Sequence, residues 1–260
     1  MSVDSIFSLE RDSGLATVTF DHPPLNLFDA AAFDALEATV AELARKPPRA
    51  LLLRAAGKIV SGGVDVALFD GLTPADAAAL WRRLLSVVHR LEALPCPTVF
   101  AAHALTLTAA FEVALACDLL VAARSARFGL VETVVGLTPS MGGTQRLAAR
   151  AGPARARELV LTGELYDAET LERWGAVNRV WDDDVFAERA HELATRLSEG
   201  PTLAHAATKA ILRAFQEGGV HAADDAVPEA SGSLFATEDL KAGVRSFLDH
   251  GPGHAVYNAR

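Results

Sequence analysis

Two acidic side chains stand where acids are costly. Between Thr98 and Leu147 the chain runs TVFAAHALTLTAAFEVALACDLLVAARSARFGLVETVVGLTPSMGGTQRL, and Glu112 and Glu132 lie there among residues that are nearly all apolar or small. A carboxylate in such a segment must be paired, hydrogen-bonded or kept for chemistry, because burying it bare is expensive. The two are twenty positions apart, room for a helix, a strand and a return, so both side chains can reach one pocket. Carboxylates that share an apolar pocket push their pKa values apart, and one then serves as base while the other donates a proton. Main-chain donors stand nearby. The loop around Gly62-Gly63-Val64 and the helix start at Thr108-Ala109-Ala110 both offer N–H groups without intrahelical partners. Such donors stabilise a carbonyl oxygen that gains charge. Spacing alone leaves a structural role for either glutamate equally open.

The elements around these residues follow from periodicity and punctuation. LATVTF at Leu15 to Phe20 is a strand stopped by Asp21-His22-Pro23-Pro24. Asp29 caps a helix with one apolar face, Phe33, Leu36, Val40 and Leu43, ending before Pro47-Pro48, and ALLLR at Ala50 to Arg54 is the next strand. Gly57 to Asp65 is a loop. Thr73-Pro74 opens a long helix striped by Leu80, Leu84, Val87, Val88 and Leu91, with Trp81 filling core or interface beside it. Thr98 to Ala102 is a buried strand, Ala109 to Cys117 a helix with Thr108 as its cap, and Leu119 to Ala123 another strand. Arg127 to Leu130 is extended, and Glu132 opens a turn or short helix. Gly142-Gly143 reads as a structural turn, with Thr144 capping the helix after it. Beyond Leu147 the pattern is mostly helical and punctuated by glycines, including Gly218-Gly219. These readings give an α/β protein with an alternating core over residues 1–198 and a helical C-terminal region over 199–260.

Composition narrows the partners. Half of the 260 residues are hydrophobic and 22% are charged, which is ordinary for a globular α/β chain. A net charge of −9 argues against nucleic acid and anionic membrane surfaces. Cys96 and Cys117 have no CxxC spacing and read as reduced, buried thiols of a cytoplasmic protein. MSVDSIFSLERD carries acids where a leader peptide carries bases, and the longest apolar run is too short to span a bilayer. No acid or thiol lies at ligand spacing from His103, which reads as a hydrogen-bonded core or loop residue, and Asp182-Asp183-Asp184 reads as a solvated helix cap rather than a metal site.

Three stretches are similar to the crotonase superfamily, the enoyl-CoA hydratase/isomerase family: VALACD at Val113 to Asp118, ARFGLVETVVGLTPSMGGTQRL at Ala126 to Leu147, and LTGELYDAETLERWGAVNRV at Leu161 to Val180. Weaker likeness lies at PPLNLFD (Pro23 to Asp29) and TEDLKAGVRSFL (Thr237 to Leu248). The resemblance implies a crotonase-like spiral of ββα units with a C-terminal helical trimerisation region, assembled as a homotrimer or hexamer. It places Glu112 and Glu132 at the two catalytic positions, and Val64 and Ala109 where backbone N–H groups form the oxyanion hole. Gly63, Asp65, Thr108 and Phe111 fall beside the substrate. The activity implied is addition of water to a 2-enoyl-CoA thioester, with coenzyme A as part of the substrate and no metal or separate cofactor. Double-bond isomerisation, decarboxylation, thioester hydrolysis and non-catalytic acyl-CoA binding are the alternatives. Thr108-Ala109-Ala110 replaces the family's usual glycine turn, and Phe111 and Val64 replace smaller residues. That added bulk predicts a narrowed or reshaped acyl pocket.

Overall fold

The computed structural model describes residues 6–259, so the N-terminal reading rests partly on residues 1–5, outside that range. The chain begins with an antiparallel pair, β1 (Phe7–Asp12) and β2 (Leu15–Phe20). There follow α1 (Ala30–Arg45), β3 (Ala50–Ala55), α2 (Pro74–Glu92), β4 (Thr98–Ala102), β5 (Thr106–Leu107) and α3 (Ala109–Ala116). Next are β6 (Leu119–Ala123), β7 (Arg127–Gly129), α4 (Gly143–Ala151), α5 (Pro153–Thr162), β8 (Tyr166–Asp167), α6 (Ala168–Arg173) and β9 (Arg179–Trp181). The helices α7 (Asp183–Glu199), α8 (Thr202–Leu234) and α9 (Glu238–His250) complete the chain.

The main sheet has the order β1-β2-β3-β4-β6-β9, parallel from β2 onward. Its inner strands β3, β4 and β6 are apolar on both faces because both are covered. In β3, Leu51 and Leu53 join the core beneath α1, α2 and α3, while Ala50 and Leu52 join a second core closed by Phe186, Ala190, Leu193 and Ala194 of α7. A second, short-stranded layer lies along the first. Parallel bridges join Phe28 to Val64 and Ser61 to Thr106, β5 pairs with β7, and β7 pairs with β8. Successive stretches of chain thus supply a main-sheet strand, a short outer pairing and a helix. This is the ββα repeat.

Most of the expected elements form, and the exceptions have local causes. β1 was not expected: FSLERD buries only Phe7 fully because it is the sheet edge, so its pattern is too polar to read as a strand. β9 lies in the stretch expected to be mostly helical, because three residues completing a sheet leave little periodicity. Thr73 and Asp76 form the capping box of α2. Thr108, in contrast, occupies the N-cap position of α3 without a side-chain bond, because its backbone has φ 45° and ψ −118°, which turns the hydroxyl away from the first turn. Thr144 is not the cap of α4 either; Gly142 is, and the Thr144 hydroxyl is buried without a partner among the described residues. Gly219, at φ 73°, breaks α8 at the glycine pair that punctuates the sequence there.

Polar ties fasten the C-terminal helices to the sheet. Asp118 Oδ2 accepts from the Thr98 N–H (2.8 Å) and hydroxyl (3.0 Å) and from Lys209 Nζ of α8 (2.6 Å). Arg49 donates to the Gly200 and Tyr257 carbonyls at 3.0 and 2.9 Å. Cys96 and Cys117 are free and buried, and burial pushes their thiols up to about 11 and about 12. Asp182 pairs with Arg124 and Asp183 accepts from the Ser125 N–H, so the acidic run fastens a loop. His103 bonds to the Gly57 carbonyl at 3.1 Å.

Leu36 is buried at the α1 face against the sheet. Leu36→Ala is expected to lower unfolding free energy by about 2–5 kcal/mol, read from the midpoint shift in urea.

Candidate active site

Glu112 lies in the first turn of α3, a helix buried on every side. Only 2% of the residue is exposed. Its Oε1 accepts two backbone hydrogen bonds, from the Met141 and Gly143 N–H groups, each at 2.8 Å. The turn that supplies them needs its glycines. Gly142 has φ 97°, and a Cβ on Gly143 would fall 2.7 Å from Glu112 Cγ. One turn into α4, Arg146 donates from Nε to Glu92 of α2 at 2.7 Å and from Nη1 to the Gly142 carbonyl at 3.2 Å. Helix α2 therefore braces the turn that holds Glu112.

Glu132 opens a short 3₁₀ turn, Glu132–Val135. Its Oε2 is buried with no hydrogen-bond partner among the described residues. Burial raises the Glu112 carboxyl to about 7, against the lowering effect of the Gly143 and Met141 N–H groups and the Arg146 charge. Burial, and then the charge of Glu112, raise Glu132 to about 8. Near neutral pH the pair therefore holds a proton and a vacancy for one, the condition for coupled acid and base work.

Both glutamates line one cavity of about 230 Å³. Its walls include Phe33, Val64, Phe69, Trp81, Val131 and Met141, with Thr108 and Ser140 as neutral polar contributors. Trp81, expected as core or interface, packs on the core and also forms a wall, its ring edge-on to Phe69 at 5.6 Å. The expected main-chain donors are present. Phe28 bonds to the Gly63 carbonyl and the Asp65 N–H, so the bridge uses the groups flanking Val64 and leaves its own N–H pointing the other way. Neither that N–H nor the Ala109 N–H, at the first position of α3, has a partner among the described residues.

The remaining expected residues divide. Thr108 lines the cavity. Gly63 does not, and its polar groups are taken, the N–H by Ser61 Oγ (3.0 Å) and the carbonyl by Phe28 (2.9 Å). Asp65 caps the 3₁₀ turn Val66–Phe69 by accepting from the Ala67 N–H at 3.0 Å, outside the cavity wall. Phe111 is turned into the core against Phe128, ring centroids 5.2 Å apart, so it does not narrow the cavity as its bulk predicted. Val64 does add bulk there. Asn26 and Ser61 were not singled out in the sequence. Asn26 Nδ2 reaches the Ala56 carbonyl at 2.8 Å, and Ser61 Oγ donates to the Asn26 carbonyl at 2.6 Å, which pins the loop carrying Val64. An asparagine two residues after a proline pair was the available signal.

A family model described as enoyl-CoA hydratase/isomerase matches residues 10–255. The chain belongs to this family. It is 32% identical over 246 residues to the protein named Probable enoyl-CoA hydratase echA8 from Mycobacterium bovis, covering 93% of this chain and 94% of that protein. It is 28% identical to a crotonyl-CoA hydratase from Syntrophomonas wolfei with the same coverage. The crystal structure of enoyl-CoA hydratase from Mycobacterium smegmatis superposes with a TM-score of 0.89 at 26% identity, over 95% of this chain and 97% of that one. A Bacillus anthracis enoyl-CoA hydratase shares the fold at TM-score 0.90 and 24% identity, over 98% of this chain and all of that one. The ββα architecture with its helical C-terminus is thus the crotonase fold. Among the described residues no helix is long and apolar enough to cross a membrane.

Both glutamates titrate above the ordinary 4.5, so between about 4.5 and about 8 this pair binds more protons in the folded chain than in the unfolded one. The pair's contribution to stability therefore falls as pH rises through that window. Glu132→Gln should flatten the decline, measured as urea midpoints from pH 5 to 9.

Proposed function

We propose that this chain is an enoyl-CoA hydratase, adding water across the 2,3 double bond of a 2-enoyl-CoA thioester. The observation that carries the reading is the convergence of two buried glutamates on one apolar cavity whose rim also carries the open Val64 N–H. The thioester oxygen accepts from the Val64 and Ala109 N–H groups, which draws electron density from the β-carbon. Glu112, whose Oε1 accepts two backbone N–H bonds that favour its ionised form, removes a proton from water as the water oxygen bonds to the β-carbon. Glu132, whose Oε2 has no donor among the described residues to favour its charge, holds the water and delivers a proton to the α-carbon. Water's oxygen and two hydrogens are then accounted for, one as the β-hydroxyl and one through the carboxylates, and the double bond becomes single. Carboxylates and backbone donors supply every step, so the proposal asks for no metal or separate cofactor. Retention of both glutamates favours hydration over isomerisation, which can proceed with the second alone.

The acyl chain occupies the cavity beside Trp81, Phe69 and Val135, with Thr108 touching the substrate. Gly63, Asp65 and Phe111 support that contact from behind, through the loop and helix they build. We place the protein in the cytoplasm, as a homotrimer or hexamer. Support for assembly comes from α8 and α9, which leave Phe247 60% and Leu248 78% exposed around an apolar cavity of about 330 Å³.

Purified protein should consume crotonyl-CoA, followed by loss of the conjugated absorbance, and Glu112→Gln and Glu132→Gln should each cut kcat by about 10²–10⁴-fold. Absence of turnover at every chain length, or near-wild-type rates in both variants, overturns the assignment. Light scattering should give three or six times the 27.4 kDa chain mass; a monomer rejects the assembly.

A further inference from the structure

Thr108 is placed at a cost, and among the described residues its hydroxyl bonds to nothing in the fold. Its backbone is fully occupied: the N–H donates to the Gly129 carbonyl and the carbonyl accepts from the Glu112 N–H, both at 2.9 Å. Its φ of 45° is a region that β-branched residues avoid. The residue is 8% exposed, yet its hydroxyl neither caps α3 nor meets any other partner among the described residues. A buried hydroxyl without a partner is disfavoured, and glycine would remove both that penalty and the strain. Thr108 lines the same cavity as Glu112 and Glu132.

Its position singles out a use. A Cβ on Gly63 would stand 2.7 Å from Thr108 Oγ1, so the hydroxyl lies directly against Gly63. Gly63 joins Val64 through one peptide bond, and Thr108 joins Ala109 through another. The hydroxyl therefore lies against Gly63, the residue before Val64, and is carried by the residue before Ala109, the two positions whose N–H groups are open. We propose that the Thr108 hydroxyl is a third donor to the thioester oxygen of a bound acyl-CoA. With two backbone N–H groups and one side-chain O–H on that oxygen, the hole follows growing negative charge more strongly than the backbone pair alone. The strain at Thr108 is the local cost of holding the hydroxyl there. The inference rests on the acyl-CoA reading of the site, and it adds a side-chain donor to a hole otherwise made of backbone.

The test uses butyryl-CoA labelled with ¹³C at the thioester carbonyl, a saturated ligand that binds without reacting, and isotope-edited infrared spectroscopy. Bound to the wild type, the carbonyl band should move to lower frequency. T108V, which keeps the shape without the hydroxyl, should lose part of that displacement, and T108S should recover it. T108G separates function from folding: its thermal midpoint should rise because the strain is relieved, while kcat on crotonyl-CoA falls about 10²-fold. An undiminished band shift in T108V and T108G, or wild-type turnover in T108G, overturns the proposal. If the wild type shows the hydroxyl-dependent band shift but no hydration, the third donor stands and the hydratase reading fails. If hydration proceeds and the band ignores Thr108, the reverse holds. Folded wild type that binds no butyryl-CoA overturns both.

Discussion

The hydrogen bonds from Met141 and Gly143 to Glu112 are the contacts on which the arrangement of this site depends. They join the start of α3 to the start of α4, and α4 is held to α2 through Arg146 and Glu92. Two N–H groups on one carboxylate oxygen favour the ionised form, but burial opposes them and wins, leaving Glu112 near 7. The result is a carboxylate fixed in direction and still able to change protonation near neutral pH. Fewer donors would loosen it, and more would lock it as an anion.

The ββα repeat explains why such a site can be built from short pieces. Each stretch of chain leaves the main sheet, makes a brief pairing in the outer layer, and enters a helix. The outer pairings at Phe28–Val64 and Ser61–Thr106 hold loops whose backbone would otherwise be mobile. Asn26 and Ser61 satisfy the polar groups this irregular backbone leaves open. The open N–H of Val64 is then a consequence of the bridge itself, which turns one side of the strand to Phe28 and the other to the cavity. The scaffold spends stability at this place: a buried Glu132 Oε2 without a partner among the described residues, and strain with an idle hydroxyl at Thr108.

Much of this was legible from residue types. The apolar stripe of α1, the capping box of α2 and the doubly covered strand β3 carry their instructions locally, in spacing of three and four, in a Thr-Pro pair, and in an unbroken apolar run. The edge strand β1 and the three-residue β9 were not legible, because an edge is half polar and a strand that short has no period. Thr108 looked like a helix cap because threonine caps helices. Its positive φ, imposed by the turn between β5 and α3, is invisible in composition.

By itself the sequence determined the alternation of elements, the cost of placing Glu112 and Glu132 in apolar surroundings, and the family to which its motifs belong. Those properties reside in single residues and their near neighbours. Only the tertiary structure decided that Val64 and Thr108 meet the glutamates at one cavity while Phe111 turns into the core and Asp65 serves its own loop. The direction of a side chain at the start of a buried helix depends on which strand and which helix pack beside it. Those neighbours come from distant parts of the chain, so no local pattern could have chosen among them.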